Sequence, residues 1–273
     1  MTSVPLETRQ IIAGTSGESV ECRGLSARAQ REVGYPRVSI VVPTVNESQN
    51  LSPLLDRISL AMSGISYEVL IIDDDSKDGT FELCQQMMAW HPLRLYVRQN
   101  ASRGLSGAVL EGLTRARGNF VVVMDADLQH PPESLPALIA PLLLGQAEFV
   151  IGSRAVAGGT IAGKWGRIRR CSSKFAKILA RPLCGKVADP MSGFFAASAS
   201  ALARAPSLDP VGYKIGLELI CRCRFRGIVE IPIAFGIRRA GYSKLSIRVA
   251  WNYVRHLTRL YRFWLAGKRA LCL

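Results

Sequence analysis

The sequence predicts an α/β fold organised around a doubly wound parallel sheet. Three observations lead there. Short, continuous, β-branched apolar runs recur, as expected of strands buried on both faces. They alternate with amphipathic stretches of about ten to fifteen residues. Polar clusters follow the ends of the first, second, fourth and fifth runs, where an open α/β sheet binds its ligands.

In chain order, residues 1–36 are polar and aperiodic and read as a flexible N-terminal extension. Residues 38–42 (VSIVV) form the first strand, closed by Pro43, and Asn46 or Ser48 offers a cap to a helix burying Leu51, Leu54, Leu55 and Ile58. Residues 67–72 (YEVLII) form a second strand that ends in Asp73, Asp74 and Asp75. Asp78-Gly79-Thr80 then turns the chain into a helix reaching Trp90. A third strand spans 93–97, a third helix 104–116, a fourth strand 119–124, and a helix follows Pro131-Pro132. Residues 148–151 (EFVI) are the fifth strand. No repeat or low-complexity tract interrupts the pattern. The domain expected from this reading covers 37–245, followed by a basic amphipathic helix over 246–273.

Composition limits the function. Lys and Arg number 35 against 21 Asp and Glu, a formal charge of +14, which favours a polyanionic partner: nucleic acid, anionic lipid or a phosphate-rich substrate. The seven cysteines are scattered, and the Cys221-x-Cys223 pair lacks the companion ligands of a zinc site. A reduced compartment suits them. The N-terminus shows no apolar core of a secretory signal, and no run of about 18 uncharged apolar residues suggests a membrane span. No G-x-G-x-x-G follows the first strand and no G-x-x-x-x-G-K-[ST] occurs, so dinucleotide-binding and P-loop chemistry are unsupported. No helix-turn-helix or RNA-binding sheet motif stands out, and acidic strand ends would repel a nucleic-acid backbone.

The segment Asp125-Ala126-Asp127-Leu128-Gln129 lies at the end of the fourth strand, before a Pro-Pro break. Alternate side chains of an extended segment share one side, so Asp125, Asp127 and Gln129 offer hard oxygen ligands suited to Mg²⁺ or Mn²⁺. A solvated acidic turn capping the next helix would use the same residues; the companion clusters at Asn46/Glu47, Asp73–Asp75 and Ser153/Arg154 favour the metal. Asp74 is placed to accept hydrogen bonds from a base or ribose. His130 orients this loop on this reading and is not a ligand.

Taken in order, residues 42–47 (VPTVNE), 72–76 (IDDDS), 125–133 (DADLQHPPE), 152–154 (GSR), 189–193 (DPMSG) and 235–245 (FGIRRAGYSKL) resemble family 2 glycosyltransferases, most closely the dolichyl/polyprenyl-phosphate mannosyltransferases. The resemblance covers about residues 37–250. It implies a GT-A nucleotide-sugar-binding fold and inverting transfer of mannose from GDP-mannose to dolichyl or polyprenyl phosphate. The same chemistry with glucose or an aminosugar from a UDP-sugar is the near alternative; a non-catalytic basic lipid- or nucleic-acid-binding protein is the remote one. By motif position, Pro43, Glu47, Ile72 and Asp74 would hold the nucleoside. Asp125, Ala126, Asp127 and Gln129 would surround metal and diphosphate. Arg154, Arg169, Arg238 and Lys244 would meet donor or acceptor phosphates, and Asp189 and Ser192 would either shape the acceptor side or hold their loop in a buried structural role. Asp127, Arg154 and Arg238 would be catalytic. Val45 stands where the family usually carries an aromatic residue, so its contact with the nucleoside differs.

The remaining basic charge gathers in two segments. Between Lys164 and Lys186, cations recur at steps of three and four, with Ile168, Cys171, Phe175 and Ile178 on another face. From Ile247 to Leu265, Trp251, Val254, Leu257, Tyr261 and Trp264 form an apolar stripe beside Arg248, Arg255, Arg259 and Arg262. Such helices suit a membrane surface. The expected location is cytoplasmic, peripheral on the cytoplasmic face of a membrane, with room for a small membrane-anchoring subunit.

Overall fold

The computed structural model describes residues 36–99, 104–163, 167–212, 214–237 and 247–270. The N-terminal extension, up to residue 35, lies outside the described residues. The described strands are β1 (Val38–Thr44), β2 (Tyr67–Asp73), β3 (Leu93–Val97), β4 (Phe120–Val123), β5 (Phe149–Ser153), β6 (Thr160–Ile161), β7 (Phe195–Ser198), β8 (Ile228–Pro232) and β9 (Ala234–Phe235). The α-helices are α1 (Ser48–Ala61), α2 (Thr80–Met87), α3 (Gly104–Arg115), α4 (Leu135–Leu143), α5 (Arg167–Cys184), α6 (Ala199–Ala203), α7 (Ile215–Arg222) and α8 (Ile247–Ala270).

Seven strands make one sheet in the order β3-β2-β1-β4-β7-β5-β8, and β6 pairs with β9 apart from it. The core of the sheet is doubly wound, as the alternating pattern predicts. Val38, Ile40 and Val42 of β1 face a layer formed by α1, α2 and α4, while Val41 faces the opposite layer with α3, α5, α7 and α8. The same alternation runs through Val69/Ile71 against Leu70/Ile72, and Val122 against Val121/Val123. Strands with both faces covered read as continuous apolar runs, which is why β1, β2, β4 and β5 are visible in the sequence.

One strand departs from the parallel expectation. β7 runs antiparallel to both β4 and β5, with Val122 opposite Ala196 and Val150 also opposite Ala196. An antiparallel strand starts at the edge where its neighbours finish. The loop leading into β7, residues 189–194, therefore enters at the carboxyl ends of β4 and β5. β1 carries β2 on one side and β4 on the other, so the chain reverses its winding between β1 and β4, and a crevice opens there.

The C-terminal helix is not a detached segment. Leu257 and Leu260 are buried in the second core layer, Tyr253 Oη donates to the Ala176 carbonyl at 2.6 Å and Tyr261 Oη to that of Leu179 at 2.7 Å. Half of the expected apolar stripe thus packs on α5 and α7, while Trp251 and Val254 remain exposed. Substituting Leu260→Ala should destabilise the fold by about 2–5 kcal/mol, whereas Val254→Ala should change it by less than about 0.5 kcal/mol. Urea denaturation followed by circular dichroism checks both; equal, small effects would mean that α8 is not part of the core.

Candidate functional site at the carboxyl edge of the sheet

Four chain segments meet where β1, β2, β4 and β5 end. At the end of β1, Pro43 pairs across to Ile72, and both are buried. Val45 follows, 43% exposed, and Glu47 accepts from Asn50 Nδ2 at 2.6 Å. The acidic run after β2 divides its labour. Asp73 is buried and accepts from Thr44 Oγ1 at 2.9 Å and from the Ser76 backbone and hydroxyl, so it ties β1 to β2. Asp74, beside it, binds Arg98 Nη1 at 2.7 Å. Burial raises the Asp74 pKa; the Arg98 charge opposes that and the Asp73 charge adds to it. Asp75 bends outward at φ 55°. Like charges in sequence are kept tolerable by sending each to a different partner.

The Asp125–Gln129 loop is tightly held. Leu128 adopts a left-handed φ of 62°, uncommon for a residue with a Cβ and typical of constrained functional turns. The bend lets Asp127 Oδ1 accept the Gln129 N–H at 3.0 Å. Gln129 then exchanges two bonds with Gly236: Gly236 N–H donates to its carbonyl at 2.8 Å, and Gln129 Nε2 donates to the Gly236 carbonyl at 3.1 Å. A Cβ at Gly236 would lie 3.1 Å from the Leu128 carbonyl oxygen, so a side chain there would crowd the contact. His130 Nδ1 accepts the Asp125 N–H at 3.0 Å, with its ring stacked on Phe194 and edge-on to Phe235. Burial pushes its pKa down to about 4, against Asp127 and with Arg154 adding to the shift. His130 is thus a neutral acceptor that fixes the loop, the orienting role expected of it.

Arg154, just past β5, is clamped by Asp189. Its Nε and Nη2 donate to the two carboxylate oxygens at 2.7 and 3.0 Å, and its backbone N–H adds a bond at 3.1 Å. Lys177 of α5 stands 3.5 Å from the same carboxylate, and the guanidinium lies over the Phe235 ring at 5.1 Å. Asp189 is fully buried. Burial alone would raise its pKa, but the Arg154 bonds and charge, with Lys177, hold it below the usual carboxylate range. Glu230 of β8 accepts the N–H groups of Ala188 and Asp189 at 2.6 and 2.9 Å. Ser192 donates to the Gly152 carbonyl at 2.7 Å and accepts the Phe194 N–H. Asp189 and Ser192 therefore act inward, on the loop and on Arg154.

The residues fit a divalent cation shared with a ligand. Asp125 keeps its side chain 36% exposed while Asp127 is nearly buried. A Cβ added at Gly193 would stand 3.7 and 3.8 Å from the Asp125 oxygens, so glycine leaves that side of the carboxylate open. Among the described residues no three His, Cys, Asp or Glu side chains form a closed metal cage. One or two carboxylates plus substrate phosphates is how Mg²⁺ is commonly held.

The structure thus brings Pro43, Val45, Glu47, Ile72, Asp74, Asp125, Ala126, Asp127, Gln129, Arg154, Asp189 and Ser192 to one edge of the fold. Arg238, Lys244 and the side chain of Arg169 lie outside the described residues; Gly236, docked on Gln129, leads into the segment carrying the first two. Sequence reasoning passed over Arg98, Lys177 and Glu230. Arg98 follows the end of β3, so the strand-end rule that found the other clusters would have found it. Nothing in the sequence points from Lys177 or Glu230 to Asp189.

The chain is similar to proteins of a known family. The sequence profile of Glycosyl transferase family 2 matches residues 39–204. A dolichol-phosphate mannosyltransferase of Pyrococcus furiosus is 40% identical over 83% of this chain and 64% of that protein; the chain spans about two thirds of that relative's length. Proteins of the same name from Mycosarcoma maydis and Saccharomyces cerevisiae are 40% and 39% identical, over 84% and 82% of this chain and 80% and 87% of theirs. In fold, the chain resembles glucosyl-3-phosphoglycerate synthase from Mycobacterium tuberculosis, solved with Mn²⁺, UDP and glucosyl-3-phosphoglycerate. That likeness has a TM-score of 0.58 and 23% identity, over 85% of this chain and 80% of that one.

Asp189→Asn keeps the shape and removes the charge. Stability should fall by about 1–3 kcal/mol at neutral pH. Because the folded-state pKa of Asp189 is depressed, its stabilisation is complete above the ordinary carboxylate value of about 4 and is lost as pH falls through the lower folded value. The gap between wild type and variant should therefore close in strong acid. Denaturation across pH tests this; a gap that persists to the lowest pH would remove the ion pair from the explanation.

Proposed function

This chain belongs to glycosyl transferase family 2, and from that premise we propose that it transfers mannose from GDP-mannose to the phosphate of a dolichyl or polyprenyl phosphate, with inversion at the anomeric carbon. It has the GT-A α/β fold and is a glycosyltransferase. The observation that carries the finer reading is that three relatives named for this reaction, 39–40% identical, align over more than four fifths of the chain.

The site chemistry supports it. A lipid monophosphate has a second pKa of about 6 and is mostly dianionic near neutral pH, so the acceptor is already nucleophilic. The protein has to align it with the sugar and offset repulsion between two phosphate-bearing reactants. On this reading Glu47 and Asp74 would hold the nucleoside, and Asp125, Asp127 and Gln129 would hold the metal and diphosphate. A Mg²⁺ or Mn²⁺ held there would neutralise charge on the departing diphosphate. Arg154, kept in one orientation by Asp189, presents its guanidinium to a phosphate in a geometry a flexible lysine would not hold. Arg238, Lys244 and Arg169 supply further cations on the same reading.

The acceptor's lipid tail requires a membrane surface. Among the described residues no helix is long and apolar enough to cross a membrane. Phe175 and Ile178 of α5, with Trp251 and Val254 of α8, are 63%, 65%, 68% and 49% exposed. These two pairs flank the Tyr253–Ala176 contact and offer an apolar surface to the bilayer interface.

Full-length protein should move label from GDP-mannose into organic-extractable polyprenyl phosphate only with Mg²⁺ or Mn²⁺. Asp127→Ala should lower turnover by about 100-fold or more with folding intact. Labelling from UDP-glucose and not from GDP-mannose would sink the donor assignment, and full activity in the variant would sink the metal assignment. In a separate measurement, Phe175→Ser/Trp251→Ser should weaken sedimentation with lipid vesicles by about tenfold or more, given roughly 1.5–3 kcal/mol for each buried aromatic. Unchanged sedimentation would place the membrane contact elsewhere.

A further inference from the structure

At the far edge of the sheet, where β5 and β8 begin and β7 ends, four arginines line an open concavity of about 490 Å³. Arg204 caps α6, Arg222 ends α7, Arg224 and Arg226 lie in the turn to β8, and Phe263 of α8 closes the wall. We propose that this concavity is a second anion site, separate from the cleft, that takes a phosphate-bearing ligand, either a lipid headgroup or a soluble polyphosphate.

Cations at helix C-termini are common because they complement the helix dipole, and that accounts for Arg204 and Arg222 alone. Arg224 and Arg226 lie beyond the helices. The nearby carboxylates are already engaged. Glu148 accepts from Arg204 Nη2 at 2.6 Å and from the Arg226 N–H at 2.8 Å. Glu218, fully buried, accepts from the Asp209 N–H and sits 2.8 Å from His256 Nε2. Among the described residues, no acidic side chain forms an ion pair with the guanidinium of Arg224 or Arg226. Four guanidiniums thus crowd one space with two occupied carboxylates, an arrangement that a multivalent anion relieves.

The cradle is also held in place. Arg222 stacks over Phe263 at 4.5 Å, and its Nε lies 2.5 Å from Glu218 Oε1 as a charge contact without hydrogen-bond alignment. Arg224 adopts a left-handed φ of 46°, a conformation that residues with a Cβ take only when the surroundings impose it. Planar donors from α6, α7 and the turn to β8 match the several oxygens of a phosphate, which arginine binds through paired N–H groups. Both sources of phosphate are within reach. α8 carries Trp251 at one end and Phe263 twelve residues on, about 18 Å along the helix, so a headgroup could reach the concavity if that face lies on a bilayer.

The test uses full-length protein, with calorimetric binding of pyrophosphate in one arm. The other arm is sedimentation with phosphatidylcholine vesicles, with and without phosphatidylglycerol. Arg224→Ser/Arg226→Ser is compared with Asp127→Ala, which alters the cleft, and with the charge-matched Arg37→Ser/Arg117→Ser, all first checked for unchanged thermal melting. We expect the first variant alone to lose at least tenfold in one arm while keeping its transferase activity. Pyrophosphate binding that is lost in Arg224→Ser/Arg226→Ser but persists in Asp127→Ala identifies a soluble ligand; loss of phosphatidylglycerol-dependent sedimentation identifies a headgroup. Binding in both arms equal to wild type overturns the site. So does an equal loss in the charge-matched variant, which would make net charge the cause. If Asp127→Ala abolishes transfer but leaves both arms intact, the cleft and the second site are separate; a failure of the second site would leave the cleft assignment standing.

Discussion

A carboxylate with no solvent exposure, Asp189, sets the geometry of the cleft. A buried charge costs several kcal/mol unless matched by charge and hydrogen bonds. Asp189 obtains three bonds from Arg154 and the nearby charge of Lys177. The requirement works in both directions, since Arg154 can take only the orientation that satisfies Asp189. This is possible because β7 runs against its neighbours. Its leading loop enters beside the ends of β4 and β5, between Asp125 and Arg154, and Gly193 there passes close to both Asp125 and His130. Had β7 been parallel, residues 189–193 would have lain at the far edge of the sheet, and Arg154 would lack its partner.

The parts of the fold legible in the sequence are those governed by local periodicity. β1 and β2 read directly because their apolar runs are nearly continuous and punctuated by Pro43 and Asp73. β7 does not: Phe-Ala-Ala-Ser is four residues of mostly small side chains, and its direction depends on the strands around it. β8 is masked by Glu230, which reads as polar until its role in holding the Ala188 and Asp189 amides is seen. Among site residues, Asp125, Asp127 and Arg154 were legible as strand-end clusters. For Asp189 the sequence left both a buried structural role and an acceptor-side role open, because no local pattern tells a buried ion pair from a ligand-facing carboxylate. Asp73 teaches the same lesson, since three adjacent acids look alike in sequence and serve three different partners in space.

The C-terminal helix shows why an amphipathic stripe alone does not decide between core and surface. Leu257 and Leu260 are buried, whereas Trp251 and Val254 on another side of the same helix are exposed. The helix is fixed by a buried polar contact as well: His256 meets Glu218, and although burial raises the Glu218 pKa, the His256 and Asp209 hydrogen bonds and the Arg222 charge outweigh it and lower the pKa. A charge placed so deep forces α8 to remain seated on α7, since withdrawing His256 would leave the carboxylate short of a partner. An exposed apolar face carried on an immovable helix is suited to holding a fixed depth at an interface.

The charge distribution then acquires a physical reading. An excess of fourteen cations would, if spread evenly, mainly burden the fold with self-repulsion. Several of the acids are instead spent on structure. Asp73, Glu68, Asp189 and Glu218 are all buried, each with hydrogen-bond donors around it: Thr44 and Ser76 for Asp73, Ser39 and Arg94 for Glu68. A carboxylate committed to interior donors does little to neutralise cations elsewhere on the surface. On the proposed reaction, which brings two phosphate-bearing molecules together, this division is an advantage, because these carboxylates are withdrawn from solvent while cations remain available to the substrates.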